Sequence, residues 1–313
     1  KYFEYFFLFF MILAHIRRLQ DLRGMVTAML LVFFLASVYG YYQMALGVRV
    51  SAPFDAEPNT FGGYLALMIC VALGVVLTDT RPNVRMILIA LLLFALPPFL
   101  FTLSRSSYIA LFAGLAAFVM VSRQRLVVLA VTIAVGLVVL AGFLTVPHKL
   151  QSRVMDTFKK GTQYHVQVAG VDLDPSSSAR VLSYREAIRI WVQRPLFGYG
   201  VTGTLFVDGQ YLRLLAETGL MGLGAFLFMF AQLLRAVWTS YCRARDPYLK
   251  GAAMGFFCGV IAMLAHATAA NSFIIIRIAE PLWLLAGLVL LIPHLEEAEQ
   301  EEPVSNGQAA PAV

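Results

Sequence analysis

The residues best suited to chemistry lie in 176–224, the longest part of the middle of the sequence that is not simply apolar. Read as a helix, the first part of this stretch places Arg185 and Arg189, four residues apart, on one face and apolar residues on another. Pro195 ends this helix, and the glycine-rich sequence PLFGYG that it opens predicts a turn. Guanidinium groups bind phosphate oxygens through paired hydrogen bonds, so arginines in this stretch suit a phosphate-bearing ligand.

A second helix is predicted after the turn, and it brings two carboxylates with it. Asp208 stands at its start, where a carboxylate could accept a proton from a hydroxyl group, or could instead cap the helix that begins at Gln210. Glu217 lies beside an apolar run, where an ionisable group needs a partner or a function. An ion pair with Arg213, four residues earlier, is the structural alternative for Glu217.

The composition assigns the chain to the membrane proteins. Hydrophobic residues make up 60% of the 313 residues and charged residues only 13%, whereas soluble domains are about 45–50% apolar. Apolar runs of helical length recur, without the period-two alternation of a membrane β-barrel. We therefore predict an all-α, polytopic integral membrane helix bundle with one large external loop that contains the amphipathic helix.

Hydropathy predicts about nine membrane spans. They lie near residues 2–16, 25–44, 61–78, 86–103, 108–121, 126–145, 214–238, 251–270 and 279–293. The chain enters the first apolar run at once and without a methionine, so we expect it to begin part-way through a longer protein with further upstream spans. The predicted organisation is N-terminal transmembrane helices over 1–145, a large external loop over 146–213, C-terminal transmembrane helices over 214–293, and an acidic cytoplasmic tail over 294–313 that is disordered from Glu296 onward.

Arginine is unevenly distributed between the predicted connections. Alternate connections are rich in basic residues, namely Arg17, Arg18 and Arg23, Arg81 and Arg85, Arg123 and Arg125, and Arg243, Arg245 and Lys250. The short connections between them hold one arginine each, Arg49, Arg105 and Arg277. The positive-inside rule places the arginine-rich connections in the cytoplasm, and the single-arginine connections and the long loop outside.

The long external segment is itself basic. Residues 146–207 carry eight basic residues against four acidic ones, a net charge of +4. Attraction to anionic lipid headgroups is one explanation of this charge. A polyanionic ligand such as a lipid diphosphate is the sharper one, because arginine dominates near the helix at 180–194.

Several kinds of site are disfavoured by the sequence. Cys70, Cys242 and Cys258 fall in predicted spans or on the cytoplasmic side, which argues against an external thiol nucleophile. The five histidines show no HxxxH or HExxH spacing, and no acidic pair in an external loop suits a divalent ion. A phosphate-binding loop for nucleotides is also missing from the sequence. We therefore expect no metal, no other cofactor and no nucleic acid partner.

Three motifs follow one another in the chain: LSRSSYIAL at 103–111, SARVLSYREAIRIWVQRPLFGYG at 178–200 and DGQYLRLLAETGLMGL at 208–223. In this order they resemble the bacterial O-antigen ligase and O-antigen polymerase superfamily of lipid-linked glycan glycosyltransferases. EPNTFGGYLAL at 57–67 also looks similar to a span entry of that family. The resemblance covers roughly residues 60–290.

The resemblance implies that a glycan attached to undecaprenyl diphosphate is transferred to an acceptor hydroxyl at the external leaflet. The acceptor would be another lipid-linked glycan or a lipid A core sugar, and the product O-antigen or exopolysaccharide. The protein would lie in the bacterial inner membrane, among membrane lipids, with its site facing the periplasm. Ligases of the family usually carry His-Asn where this chain has Asp208-Gly209, which slightly favours a polymerase over a ligase.

The resemblance also implies roles for individual residues. The substrate-binding set is Arg105 and Arg180, as a diphosphate clamp, with Arg185, Arg213, Arg277 and Glu280. Asp208 would be the general base, with His165 of the same loop as the alternative base, and Glu217 would be a second catalytic carboxylate.

Each of these roles has a simpler structural alternative. Arg105 and Arg180 could be interfacial or surface arginines, and Arg185 could simply line the polar side of its helix. Arg277 and Glu280 could form an ion pair at a helix end. For the whole protein, one alternative is a transporter or flippase of an anionic lipid-linked glycan, although such proteins typically show repeated halves and this sequence shows no repeat. The other alternative is a noncatalytic subunit of an envelope complex.

Overall fold

The computed structural model describes residues 4–51, 53, 57–145, 167–168, 171–172, 175–204 and 207–301. Over these residues the chain forms α1 (Glu4–His15), α2 (Leu19–Ala45), α3 (Pro58–Thr78), α4 (Pro82–Phe101), α5 (Arg105–Val121), α6 (Arg125–Thr145), β1 (Gln167–Val168), β2 (Val171–Asp172), α7 (Pro175–Gln193), α8 (Gln210–Arg243), α9 (Pro247–His266) and α10 (Ile276–Glu301). The two strands form a short antiparallel ladder in which Gln167 lies opposite Asp172. Apart from this ladder, the elements of the described residues are all helices, as predicted.

Six helices, α2, α3, α4, α8, α9 and α10, are long and apolar enough to cross a membrane. The prediction of a polytopic membrane protein is therefore confirmed. Three further apolar helices are shorter, Glu4–His15, Arg105–Val121 and, within α6, Arg125–Leu137. The count of nine spans and the external position of the large loop remain predictions.

Prolines mark where several of these helices begin. Pro58, Pro82 and Pro247 each stand in the first turn of their helix, where the missing N–H has no partner to lose. Glu57 and Asp246 cap two of these starts, because their side chains accept hydrogen bonds from backbone N–H groups of the first turn. The local sequence thus determines these boundaries.

One helix boundary agrees with the sequence-based expectation and one differs from it. α8 begins at Gln210, where the sequence predicts a helix start. α10 continues to Glu301 beyond the predicted span end at 293, and its Glu296 is buried. The Glu296 carboxylate accepts hydrogen bonds from the N–H groups of Arg245 and Asp246, both at 2.8 Å. The predicted disorder therefore does not hold for residues 296–301, because this carboxylate ties the end of α10 to the start of α9.

The helices α3 and α9 form the centre of the bundle, and both are largely buried. Their backbones approach closely where Gly74 faces Gly251 and Gly255. A Cβ atom at Gly74 would lie 2.2 Å from the carbonyl oxygen of Gly251, so only glycine permits this contact. The central pair fixes the positions of Asn59 at the start of α3 and of His266 at the end of α9.

The bundle has two ends of different character. At one end Arg23 pairs with Asp246 at 2.7 Å, and Thr78 Oγ1 donates to the Pro247 carbonyl at 2.8 Å. The arginine-rich connections lie together at this end. This agrees with the predicted pattern, in which every second connection between helices is rich in arginine. At the other end the chain connects α2 to α3, α4 to α5 and α9 to α10. We refer to this second layer as the site end, since it carries most of the residues singled out from the sequence.

A kink divides α8 near its start. Gly219 has non-helical dihedral angles, φ 65° and ψ −164°, inside the helix. The turn over 195–200 inserts here, with Gly200 N–H donating to the Glu217 carbonyl at 2.7 Å and Leu220 N–H donating to the Pro195 carbonyl at 2.9 Å. The glycine-rich turn therefore supplies hydrogen-bond partners to backbone groups at the break in the helix.

Candidate functional site

The turn between α4 and α5 holds the first motif in a strained conformation. Leu103 has a positive φ of 49°, which is rare for a residue other than glycine. Arg49 stabilises the turn because its Nε donates to the Thr102 carbonyl at 2.6 Å and its Nη2 to the Leu103 carbonyl at 3.1 Å. Non-glycine residues in such a conformation persist where the surrounding structure fixes them, and they cluster at functional sites.

The serine before Arg105 caps the helix that follows. Ser104 is the N-cap of α5 and accepts a hydrogen bond from the N–H of Ser107. The Ser104 hydroxyl also donates to Asn59 Oδ1 at 2.8 Å, which ties the start of α5 to the start of α3. Arg105 is the first residue of α5 and is exposed at the site end. The helix start that carries the Arg105 guanidinium is therefore held by the Ser104 cap and by the hydrogen bond from Ser104 to Asn59.

Three arginines from separate elements lie close enough to interact. Arg180 on α7 and Arg105 on α5 both act electrostatically on Arg49. Burial is the main cause that lowers the pKa of the Arg49 guanidinium, Glu57 and Tyr108 oppose this effect, and the two neighbouring arginines add to it. Positive charges held together in this way attract anions, and the Glu57 carboxylate is one that already acts on Arg49.

Asp208 lies beside the same cluster, on the side formed by α7 and α8. Its N–H donates to Ser183 Oγ at 3.1 Å, and the neighbouring Tyr184 hydroxyl donates to the Thr268 carbonyl at 2.8 Å. Burial raises the pKa of Tyr184, Arg180 lowers it, and Asp208 raises it further. The carboxylate of Asp208 and the guanidinium of Arg180 thus both act on one phenol.

The position of Asp208 also bears on the capping alternative. The N-cap of α8 is Gly209, with φ 90° and ψ 120°, and Asp208 stands one residue before it. Backbone bonds hold this start in place, since Gln210 N–H donates to the Ala267 carbonyl at 2.9 Å and Asn271 Nδ2 donates to the Val207 carbonyl at 3.0 Å. The helix start is therefore fixed by contacts other than a cap from the Asp208 side chain.

Glu217 and Arg213 form the ion pair that was the structural alternative. Arg213 Nε lies 2.9 Å from Glu217 Oε1, and the two side chains are only 13% and 7% exposed. The backbone of Glu217 meanwhile packs against Gly198 of the inserted turn. The pair thus stands at the kink of α8. The predicted catalytic role of Glu217 stays a prediction.

The remaining predicted substrate-binding residues are Arg185, Arg277 and Glu280. Arg185 is exposed on α7. Arg277 donates to the carbonyl of Pro53, whereas Glu280 lines a groove with Glu4, Phe7 and Leu8 of α1. The alternative base His165 lies outside the described residues, and within the described part of the chain no His, Cys, Asp or Glu cluster could hold a metal ion.

Comparison with protein families bears on the same part of the chain. Residues 90–227 match the model of a family described as O-antigen ligase. The matched stretch contains Arg105, Arg180 and Asp208. This match supports the predicted resemblance to the O-antigen ligase and polymerase-like superfamily, and with it membrane glycan processing of the ligase or polymerase type. A comparison with curated proteins finds no match.

The structure adds residues to this candidate site to which the sequence assigned no role. Arg49 holds the turn before Arg105, and Asn59 binds its capping serine. His266 is fully buried between Ser107 and Ser272. A weak signal for His266 existed, since a histidine at the end of an apolar helix needs polar partners. Its partners lie far away in sequence, so no local pattern could identify them.

Proposed function

We propose that this protein is a metal-independent glycosyltransferase. It transfers a glycan from undecaprenyl diphosphate to an acceptor sugar hydroxyl at the external leaflet, and so polymerises or ligates O-antigen or exopolysaccharide. The observation that carries the proposal is the cluster of Arg49, Arg105 and Arg180 beside Asp208 at one end of a membrane helix bundle. The family match over the same residues supports it.

The arginine cluster suits the leaving group of such a reaction. When the bond between the anomeric carbon and the diphosphate oxygen breaks, the electron pair stays on the diphosphate and negative charge grows there. Arg105 and Arg180 would stabilise this charge, and arginine's planar fork binds phosphate oxygens in pairs. Arg49 has two of its donors engaged with carbonyls of the 102–103 turn, so we assign it to positioning and to the local positive field.

Asp208 suits the acceptor side of the reaction. The acceptor oxygen forms the new bond to the anomeric carbon, and its proton passes to the Asp208 carboxylate. A carboxylate is a weak base toward a sugar hydroxyl, so this transfer occurs late, once bond formation has made the hydroxyl acidic. The same negative charge stabilises positive character at the anomeric carbon. Neither step needs a metal ion.

Glu217 receives a different role in this proposal. Its carboxylate is occupied by Arg213, and its backbone carbonyl accepts from Gly200 N–H at 2.7 Å. We infer that the pair stabilises the kink of α8 and so fixes the direction in which Asp208 is presented. Removal of one partner would leave a largely buried charge, which is costly within a membrane protein.

Reconstitution tests the proposal. The purified protein is placed in nanodiscs with an oligosaccharide linked to undecaprenyl diphosphate, in the presence of a chelator, and the products are separated by size. Longer lipid-linked glycans indicate a polymerase, and transfer that occurs only when a lipid A core acceptor is added indicates a ligase. Turnover that requires a divalent ion would contradict the metal-independent mechanism, and an unchanged donor would contradict glycosyl transfer.

A further inference from the structure

A chain of polar side chains crosses the site end behind the arginine cluster. It runs from Ser272 through His266 at the end of α9 to Ser107 and Ser104 of the α5 start, and it ends at Asn59 of α3. We call these five residues the His266 relay. The imidazole and the hydroxyls of Ser107 and Ser272 are fully buried, so each polar atom depends on its neighbours in the relay.

The hydrogen bonds of the relay all run in one direction. Ser104 donates to Asn59 Oδ1 at 2.8 Å, and Ser107 Oγ donates to Ser104 Oγ at 2.7 Å. Because the Ser107 proton is used in this way, its oxygen accepts from His266 Nε2–H at 3.3 Å. The other ring nitrogen, Nδ1, then accepts from Ser272 at 2.7 Å. One tautomer of His266 therefore satisfies the whole relay.

Two glycines of α3 make room for the relay. A Cβ atom at Gly62 would lie 2.4 Å from Ser107 Oγ, and one at Gly63 would lie 3.0 Å from the His266 ring. Any side chain at Gly62 would displace the hydroxyl in the middle of the relay. The Gly-Gly pair at the start of the most buried helix thus serves the polar contacts as well as helix packing.

The relay joins the two halves of the candidate site. On one side, Ser104 and Ser107 belong to the first turn of α5, which begins with Arg105. On the other side, the residues directly after His266 hold α7 and the start of α8. The Ala267 carbonyl accepts from Gln210 N–H at 2.9 Å, and the Thr268 carbonyl accepts from Tyr184 at 2.8 Å.

We propose that the His266 relay is a positioning device that fixes Arg105, on the leaving-group side, relative to Asp208, on the acceptor side. The inference rests on the proposed function, because only a transfer between two bound glycans requires both sides to be held at one spacing. His266 itself is a positioning residue, since it is fully buried and its ring nitrogens bind Ser107 and Ser272. Misplacement of reacting groups by about 1 Å can lower a rate on the order of a hundredfold.

Ser107→Ala tests the relay with the smallest change, because it removes the central hydroxyl and adds no volume. Ser37→Ala is the matched control, since Ser37 is equally buried but donates only to the Phe33 carbonyl of its own helix. We expect kcat to fall by at least about tenfold in Ser107→Ala while the KM for the donor changes by less than about twofold. His266→Ala should behave in the same way, and His266→Gln, which keeps an N–H donor, should recover part of the rate.

Amide hydrogen exchange gives a second measurement that does not depend on activity. Loss of the relay should speed exchange at residues 105–109 and at 207–211 together by about tenfold, and leave the arginine-rich end unchanged. Exchange equal to that of Ser37→Ala in both regions would overturn the relay, and so would faster exchange at 105–109 alone. If the unmodified protein transfers no glycan, the proposed function fails, and coupled exchange in both regions still supports the relay as the link between them.

Discussion

The two ends of the helix bundle use arginine in different ways. At the arginine-rich end, Arg23 lies 2.7 Å from Asp246 and Arg81 lies 2.7 Å from Asp79. At the site end, Arg105 of α5 and Arg180 of α7 act electrostatically on Arg49 of the α2–α3 connection, as does the Glu57 carboxylate. Arg49 there donates to backbone carbonyls.

We interpret this difference as a division between charges that contribute to stability and charges that are held for a ligand. An arginine paired with a carboxylate satisfies a neighbour within the protein, and its contribution is to stability. Arginines that are brought together raise the free energy of the empty site, and a bound anion lowers it again. The site end also contains the strained Leu103 and the kinked start of α8. Strain and clustered charge at the same end are typical of a functional site.

The largest expected effect concerns Asp208, the proposed general base at the site end. Asp208→Asn keeps the shape of the side chain but removes its basicity, so we expect transfer to fall on the order of a hundredfold or more. The measurement is single-turnover transfer in nanodiscs at matched protein abundance. Near-normal transfer would show that Asp208 is not the base and would return it to a structural role.

A smaller loss is expected when the arginines of the cluster are replaced by lysine. Arg105→Lys and Arg180→Lys keep the charge but lose the planar fork, and we expect each to lower transfer by about tenfold or more while the protein still folds. Arg189→Lys is the matched control on α7, because Arg189 is 76% exposed and its partner Glu186 lies 3.8 Å away. Equal rates for all three variants would contradict the diphosphate clamp.

The arginine-rich end should respond in stability and not in activity. Arg23→Ala removes the partner of Asp246, and since Arg23 is 43% exposed the unfolding free energy should fall by no more than about 1 kcal/mol. The transfer rate should stay within about twofold of the unmodified protein. Thermal unfolding of the reconstituted protein and the transfer assay together check this. A large loss of transfer without loss of stability in Arg23→Ala would contradict the interpretation that arginines at this end serve stability alone.

The smallest effect is a pH dependence at the connection between α3 and α4. The side-chain hydrogen bond from Arg81 lowers the pKa of Asp79 below its ordinary value, against the opposing effect of burial. Because the folded-state pKa is depressed, the stabilisation is present above the unfolded value of about 3.9 and is lost as the pH falls through the folded value. Unfolding midpoints between about pH 5 and pH 2 should fall less steeply in Arg81→Gln than in the unmodified protein. Identical slopes would show that this ion pair does not contribute.

The sequence by itself determined the class of the protein and much of its helical plan. Apolar runs of helical length predict membrane helices, because every backbone polar group must be satisfied inside a bilayer. Pro58, Pro82 and Pro247 mark helix starts through their own backbone geometry, and Pro195 marks the turn after α7. The motifs around Arg105, Arg180 and Asp208 also indicated the family. All these signals are local.

Only the tertiary structure decided which of these residues meet. Ser107 and His266 are 159 positions apart, and their contact depends on the close packing of α3 against α9 and on the space above Gly62. The sequence showed Arg49 only as a loop arginine. In the structure its guanidinium donates to the Thr102 and Leu103 carbonyls, because α2 and α4 end on the same side of the bundle. From the sequence, Glu217 was a candidate catalytic carboxylate or an ion-pair partner of Arg213, and the structure shows that the ion pair forms. Periodicity tells which face of a helix is apolar, whereas the partner of a polar group is set by helices that pack together from distant parts of the chain.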